Sequence, residues 1–514
     1  MSDNIIIIGV FVIYMALMIG IGAFFFKKNT GISDYVLGGR SLNPWVAALS
    51  AQASDMSGWL LMGLPGLAYV FFAGTSEAIW TAIGLAIGTY LNWLIVAKRL
   101  RQYTKISGDA VTLPEFFANR FHDETGVFKN ILKIVSAVFI LVFFLFYTAS
   151  MFQASAKLFN SVFGLNYHIA LIISVGIIVA YTFLGGFLAV CWTDTIQGLL
   201  IFAALVIAPI VAVVKAGGFD GLASAVETIT TEVGAEFSLM PLNGDGSINV
   251  LLLISALAWG LGYFGQPHIL PRFMAIRTPK EIRPARIIAV VWVLVSLGMA
   301  IVVGIVGRVL YPGLADSETV FIRMVQDLFP AVLTGVFLTA ILAAIMSSAD
   351  SQLLVTSSAV SNDICGLLTK KMDEKKRDKT LMWIGRITVV VVSIIAALLV
   401  SVENPTEGTI IYKINESVFK LVSFAWAGFG ASFGPIVLFA LFWKRTTIFG
   451  AIAGIISGGL TACIWWLLEG GIFDVYEIVP GFIISGIVIV VVSLLTKPNA
   501  ETLEEFDKVK SVEI

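Results

Sequence analysis

Apolar runs about twenty residues long recur along almost the entire chain, and a lipid bilayer is the environment that accommodates them. About 30 Å of hydrocarbon, divided by a rise of about 1.5 Å per residue, calls for about twenty apolar residues per helical span. Only 13% of the 514 residues are charged and the mean hydropathy is +0.93, whereas soluble domains carry about 25% charge. The rule yields about thirteen spans, at residues 4–26, 44–72, 77–97, 127–156, 167–185, 190–214, 249–271, 287–311, 331–365, 381–401, 417–443, 447–468 and 477–496. The expected fold class is therefore all-α integral membrane. The first span is too long for a signal peptide and lacks a basic start and a small-residue cleavage site.

Lysine and arginine placement sets orientation. With the N-terminus outside, the inner loops hold Lys27, Lys28, Arg40, Lys98, Arg99, Arg101, Lys105 and Arg120. They also hold Arg272, Arg277, Lys280, Arg283, Arg286, Lys370, Lys371, Lys375, Lys376, Arg377 and Lys379, then Lys444, Arg445, Lys497, Lys508 and Lys510. The outer side keeps only Lys157, Lys215, Arg308, Arg323, Lys413 and Lys420, and loop 217–248 carries Asp220, Glu227, Glu232, Glu236 and Asp245 without a basic residue. The N-terminus is expected outside and the C-terminus in the cytoplasm. Residues 497–514 read as a short, mobile, charged cytoplasmic tail.

Cys191, Cys365 and Cys463 form no pair or metal spacing and read as small apolar residues. His122, His168 and His268 form no cluster and read as isolated polar residues. A net charge of −1 without a long basic tract gives no sign of a nucleic-acid partner.

Three polar clusters interrupt this apolar frame. Span two reads Ala53-Ser54-Asp55-Met56-Ser57-Gly58-Trp59, with a carboxylate at the depth where charge is most costly. The neighbouring serines and glycine predict a broken helix, whose freed carbonyls must face protein or a cavity. Span seven reads Trp259-Gly260-Leu261-Gly262-Tyr263-Phe264-Gly265-Gln266-Pro267. Residues 260–265 match G-x-G-x-x-G, but a dinucleotide site needs that motif between a strand and a helix, so a cofactor is rejected. Two readings remain, a second helix break and a tightly packed helix crossing. Span nine reads Ala343-Ala344-Ile345-Met346-Ser347-Ser348-Ala349-Asp350-Ser351-Gln352. A single membrane serine commonly bonds back to its own helix, but three serines beside an aspartate favour a hydrophilic face.

Spans two and seven lie five spans apart, and discontinuous helices in corresponding positions of two halves point to a transporter's binding site. Spans 2–6 and 7–11 would then be two inverted five-helix repeats, because an odd number of spans reverses topology. The chain divides into a leading helix and loop (1–43), a first repeat (44–216), an outer loop (217–248), a second repeat (249–443), two trailing helices (444–496) and the tail (497–514). Freed carbonyls and serine hydroxyls are the oxygen ligands a hard cation prefers. The carboxylate of a zwitterionic solute suits amide donors at a half-helix N-terminus, and Trp59, Tyr147, Trp259 and Tyr263 offer apolar walls.

At these residues the chain resembles the solute:sodium symporter family, from about residue 10 to 496. The most specific pieces are YVLGGRSL (35–42), ALSAQASDMSGWLLMGLPG (48–66), FLAVCWTDT (187–195), WGLGYFGQPHIL (259–270), AILAAIMSSADSQLL (340–354) and AWAGFGASFGPIVLF (425–439). The resemblance implies a sodium site made by the carbonyls of Ala53, Met56 and Ala344 and the hydroxyls of Ser347 and Ser348, supported by Asp55. Solute contacts map to Ser57, Gly58, Trp59, Tyr147, Trp259, Tyr263, Gln266 and Pro267. Arg40 maps to a gating position at the cytoplasmic approach, or is simply a positive anchor. Asp194 and Ser351 match a second sodium position found in some relatives, though Asp194 in Thr193-Asp194-Thr195 also suits a helix cap. One departure is Ser347-Ser348, where proline-transporting members carry a serine–threonine pair.

The similarity is strongest to members importing L-proline, which implies sodium-coupled uptake of L-proline by alternating access in a bacterial cytoplasmic membrane. Na+ would be the coupling ion, with no cofactor and no obligate protein partner. Rival readings are the same machine with another amino acid, a carboxylate or a sugar, and a sodium-permeable channel. An enzyme is disfavoured by the lack of any nucleophile–base or metal set. Gly84/Gly88 and Gly454/Gly458 could serve either oligomer contacts or internal packing.

Overall fold

The computed structural model describes residues 2–26, 36–71, 73–184, 186–233, 238–403 and 405–512; Lys27, Lys28, Tyr35 and Glu236, used above, lie outside them. Backbone in lipid must bond to itself, and the described residues are accordingly helical, with two isolated bridges and no strand.

In chain order the helices are α1 (Ser2–Phe26), α2 (Pro44–Asp55), α3 (Trp59–Tyr69), α4 (Ala73–Ile106), α5 (Leu113–Arg120), α6 (Val127–Phe163) and α7 (Tyr167–Leu184). They continue with α8 (Phe187–Lys215), α9 (Gly218–Val233), α10 (Val250–Gly265), α11 (Leu270–Met274), α12 (Ile282–Leu310), α13 (Val320–Leu328) and α14 (Ala331–Leu368). Last come α15 (Glu374–Leu399), α16 (Ile410–Asn415), α17 (Val418–Phe442), α18 (Ile448–Leu467), α19 (Ile478–Leu495) and α20 (Ala500–Val512).

Ten of the described helices are long and apolar enough to cross a membrane. Expected spans two, five and seven fall on the shorter apolar helices Trp59–Tyr69, Tyr167–Phe183 and Val250–Gly265. Spans two and seven are short because both are interrupted. The most enclosed windows belong to α14 and α17, 78% and 89% buried, against 28% for α1 and α19. The helix that carries Ser347, Ser348 and Asp350 thus stands inside the bundle, as polar residues require in lipid.

The span-two helix breaks for a visible reason. Asn43 caps α2 by accepting from the Val46 amide, and Pro44 fits its first turn. At Met56 the backbone leaves the helix (φ −82°, ψ 75°). Gly58 is required there by contact, since a Cβ would lie 2.9 Å from the Ala154 Cβ.

Both readings of span seven hold, at different residues. The glycines serve a close crossing: a Cβ on Gly260 would lie 2.3 Å from the Gly84 carbonyl oxygen, and one on Gly262 1.9 Å from Trp426 Nε1. The break falls after them, where Gln266 is extended (φ −77°, ψ 110°) and Pro267 supplies no amide. Gly84 and Gly88 pack on residues 257 and 260, and Gly458 on the backbone of Ala431, so these small faces are used internally.

The mobile-tail expectation fails. Residues 500–512 form α20, which docks against α4. Thr502, Phe506 and Val509 are spaced to share a helical face and are buried, a stripe hidden among eight charges in 497–514. Glu505 accepts from Ser107 and meets His122 at 2.9 Å, and Arg120 donates to the Thr502 carbonyl at 3.4 Å.

Candidate ion and substrate site

The break in span two exposes carbonyls that α14 then meets. Ser347 Oγ donates to the Ala53 carbonyl at 2.7 Å, and Ser348 Oγ donates to the same oxygen at 3.3 Å. Ser347 Oγ also lies 3.2 Å from the Ala344 carbonyl. Ala53, Ala344, Ser347 and Ser348 thus form one buried knot of neutral oxygens, and Met56 forms the backbone turn three residues beyond. Such oxygens fit the hardness of a small monovalent cation, and no net negative charge sits among them.

Asp55 organises a second group. Its Oδ2 accepts from the Tyr263 hydroxyl at 2.5 Å, and its carbonyl accepts from Trp59 Nε1 at 3.0 Å and the Tyr147 hydroxyl at 3.1 Å. Asp55 Oδ1 is buried without a hydrogen bond. Trp259 lies 6.1 Å from Trp59, ring centre to ring centre, and stacks at 5.0 Å on Phe419. Trp259 and Phe419 also line a cavity of about 820 Å³ whose rim carries Glu77, Glu318, Glu407, Glu416 and Glu477.

Not every expected solute contact joins this group. Ser57 and Gly58 are buried in the break, with Gly58 against Ala154 and Ile345. The Gln266 amide donates to the Gly262 and Trp426 carbonyls instead, at 3.1 and 3.3 Å. Pro267 lines a different cavity, with Thr112, Phe187 and Asp363.

Asp194 and Ser351 do come together, but with a third partner. Asp194 Oδ2 accepts from Ser50 Oγ at 2.7 Å, Ser54 Oγ at 3.2 Å and Arg272 at 3.3 Å. The same Arg272 nitrogen donates to Ser351 Oγ at 2.6 Å. Asp194 lies in the second turn of α8 with its side chain bonded to other helices, so it is not the cap of its own helix. Arg272 was placed above among the inner-loop charges; its side chain is 1% exposed, a correction that follows from its place one turn beyond the second break. Arg99, Arg101 and Arg120 are likewise buried.

Arg40 sits between helix ends. It donates to Asp109 Oδ1 at 2.8 Å, Thr104 Oγ1 at 3.1 Å, the Ala110 carbonyl at 2.9 Å and the Met274 carbonyl at 2.7 Å. Next to it, the Leu42 amide bonds the Ala275 carbonyl and the Arg277 amide bonds the Leu42 carbonyl, tying the entry of span two to the exit of span seven. Burial pushes the Asp109 carboxyl up, but hydrogen bonds from Lys105 and Arg40 outweigh it and hold the group below the usual carboxylate range.

Sequence reasoning missed Arg272, Trp426 and His268. Trp426 Nε1 bonds the Trp259 carbonyl at 2.8 Å, and the His268 ring packs 5.9 Å from Tyr147. For Arg272 the signal was its spacing four residues after His268, whose carbonyl it bonds at 2.5 Å.

Comparison with known proteins agrees with the multi-pass helical fold. The sodium:solute symporter family model matches residues 35–458. The "Sodium/proline symporter" of Staphylococcus aureus (strain JH9) is 44% identical over 512 residues, covering 97% of this chain and 95% of the relative. The same figures hold for that of strain NCTC 8325 / PS 47. A solved Na+-coupled sialic acid symporter, substrate-bound and outward-open, superposes with a TM-score of 0.74 at 20% identity, covering 96% of this chain and 98% of that one. A nucleobase-cation-symport-1 family transporter gives a TM-score of 0.53 at 13% identity, covering 93% and 99%. A multi-pass helical chain, broken where neutral oxygens gather and matched over most of its length, belongs to the sodium:solute symporter family.

Proposed function

We propose that this symporter imports L-proline with Na+ by alternating access, with its N-terminus outside and its C-terminus in the cytoplasm. Residues 44–216 and 249–443 act as the two inverted repeats. Na+ is held by the Ala53, Met56 and Ala344 carbonyls and the Ser347 and Ser348 hydroxyls. The observation that carries this reading is the convergence of two α14 hydroxyls on one carbonyl at the α2 break. An ion there contacts both sides of the break, so its binding orders the Asp55 group and the two affinities rise together.

The zwitterion fits beside Asp55, between Trp59, Tyr147, Trp259 and Tyr263, with the free Oδ1 available to a secondary ammonium. Arg40 holds the cytoplasmic ends of spans two, three and seven together while the site faces outward. One charge moving through about 100 mV yields about 2.3 kcal/mol, and a tenfold sodium gradient adds about 1.4 kcal/mol. One-to-one coupling therefore supports roughly 500-fold accumulation.

The test is competition for labelled proline uptake into vesicles holding the purified protein. Unlabelled L-proline should compete best among amino acids, carboxylates and sugars. A carboxylate or sugar that displaced the label more strongly would replace proline as cargo. In the same vesicles Asp55→Asn should raise the sodium concentration needed for half-maximal uptake, and an unchanged requirement would remove Asp55 from the site.

A further inference from the structure

Further along α14 from the α2 break, a small cavity of about 30 Å³ has room for about one water-sized particle. Its walls are largely apolar, with Phe187, Pro267 and Leu354 among them, but Thr112, Ser358 and Asp363 also line it. The course of α14 brings the last two together. Over Ala359–Cys365 its turns widen to π spacing, which sets Ser358 and Asp363 one wide turn apart. Among the described residues, the partners of Asp363 all sit on one oxygen. Its Oδ1 accepts from Thr112 Oγ1 at 3.1 Å and from Asn362 Nδ2 at 3.4 Å, and lies 4.0 Å from Lys133 Nζ. Its Oδ2 is buried without a hydrogen bond, and so is Ser358 Oγ. Buried oxygens left unpaired are costly and call for an occupant.

We propose that Asp363 Oδ2 and Ser358 Oγ form a way-station for Na+ between the α2 break and the cytoplasm, separate from the site at Ser347. This rests on the sodium-coupled reading and the orientation proposed above. Position supports it. Ser347, Ser351, Val355 and Ser358 are spaced to share one face of α14. Ser358 lies about 16 Å beyond Ser347 at a rise of about 1.5 Å per residue. Pro267, just past the span-seven break, stands in the cavity wall opposite this face, so the cavity adjoins helices that must separate for release inward. Chemistry supports it too. A carboxylate oxygen and a hydroxyl are hard donors that suit a small alkali cation, and apolar walls strengthen the attraction. Lys133 offsets part of the Asp363 charge, while Glu115, bonded to the amide of the wall residue Val111 at 2.9 Å, adds a second negative charge. With only two free oxygens, the position holds an ion loosely enough to let it leave.

The test compares the two directions of labelled L-proline movement in right-side-out membrane vesicles carrying the full-length protein. Entry is measured against external Na+, and exit from preloaded vesicles against internal Na+. An ion from the cytoplasm meets Asp363 before Ser347, whereas one from outside meets Ser347 first. Asp363→Asn should therefore raise the internal sodium needed for half-maximal exit roughly tenfold, the low end for loss of a focusing charge. The external sodium needed for entry should not change. Ser358→Ala should shift the internal value in the same direction by less. Equal shifts on both sides would place the effect of Asp363 at the α2 break and overturn the inference. No shift on either side would mean that the cavity holds a water only, and would overturn it too. If the asparagine variant does not fold, Ser358→Ala decides: an internal shift alone supports the way-station, and none overturns it. Sodium-independent movement by the unaltered protein would instead remove the sodium-coupled reading, and the way-station with it.

Discussion

Two oxygen clusters lie within a few turns of each other, and they are built on opposite principles. Around the Ala53 carbonyl every group is neutral, two serine hydroxyls and backbone oxygens. Around Asp194 the same kind of hydroxyls gather, but a carboxylate is present and a guanidinium answers it. A buried carboxylate favours a resident counter-charge, and Asp194 has one in Arg272. Neutral oxygens carry no such demand, and a cation can bind there and leave. The proposed reading gives the exchangeable role to the first cluster and a structural one to the second.

The largest effect should come from breaking the charged cluster. Asp194→Asn takes from the buried Arg272 the one carboxylate it is hydrogen-bonded to among the described residues, and removing one partner of a buried pair costs about 3–5 kcal/mol. Thermal unfolding in detergent should show a marked loss of stability; an unchanged midpoint would mean that the pair is not the resident charge balance described here.

Next comes the neutral cluster. Ser347→Ala should leave stability nearly intact but raise the sodium concentration for half-maximal uptake. Loss of one ligand worth about 1.5–3 kcal/mol corresponds to roughly 10–100-fold. Ser348→Ala, whose hydroxyl is farther from the Ala53 carbonyl, should shift it less. Equal shifts from the two would show that the 2.7 and 3.3 Å contacts carry no ranking.

The smallest effect belongs to the exposed end. Asp109 is half exposed, so its pair with Arg40 is screened and worth under about 1 kcal/mol. Its carboxyl titrates below its unfolded value, so the pair contributes above the usual carboxylate range and the contribution is lost as pH falls through the depressed value. Asp109→Asn should therefore lower stability slightly at pH 7 and not at pH 3. A larger loss at acid pH would reverse the sign of this argument.

Much of this was legible before any coordinates. Apolar length gave the helices, because in lipid no other local structure satisfies the backbone of these runs. The span-two break was legible from Ser57 and Gly58 beside Asp55, which serve no purpose in an uninterrupted aliphatic helix. What escaped depended on three-dimensional neighbours. Three glycines in span seven read equally as a break or a close crossing in one dimension, and only Gly84 and Trp426 from other helices decide that Gly260 and Gly262 serve the crossing. Arg272 follows an apolar span and reads as a loop anchor until Asp194, 78 residues earlier, is found beside it. The tail read as mobile because its charges outnumber the buried stripe of Thr502, Phe506 and Val509.

The most direct test of the central claim, one exchangeable Na+ at the α2 break driving solute inward, is accumulation of labelled L-proline in vesicles clamped at zero potential under a tenfold sodium gradient. The account predicts about tenfold accumulation in the unaltered protein, with Ser347→Ala requiring far more sodium to approach it. Proline that merely equilibrated, or that accumulated equally well when potassium replaced sodium, would contradict it.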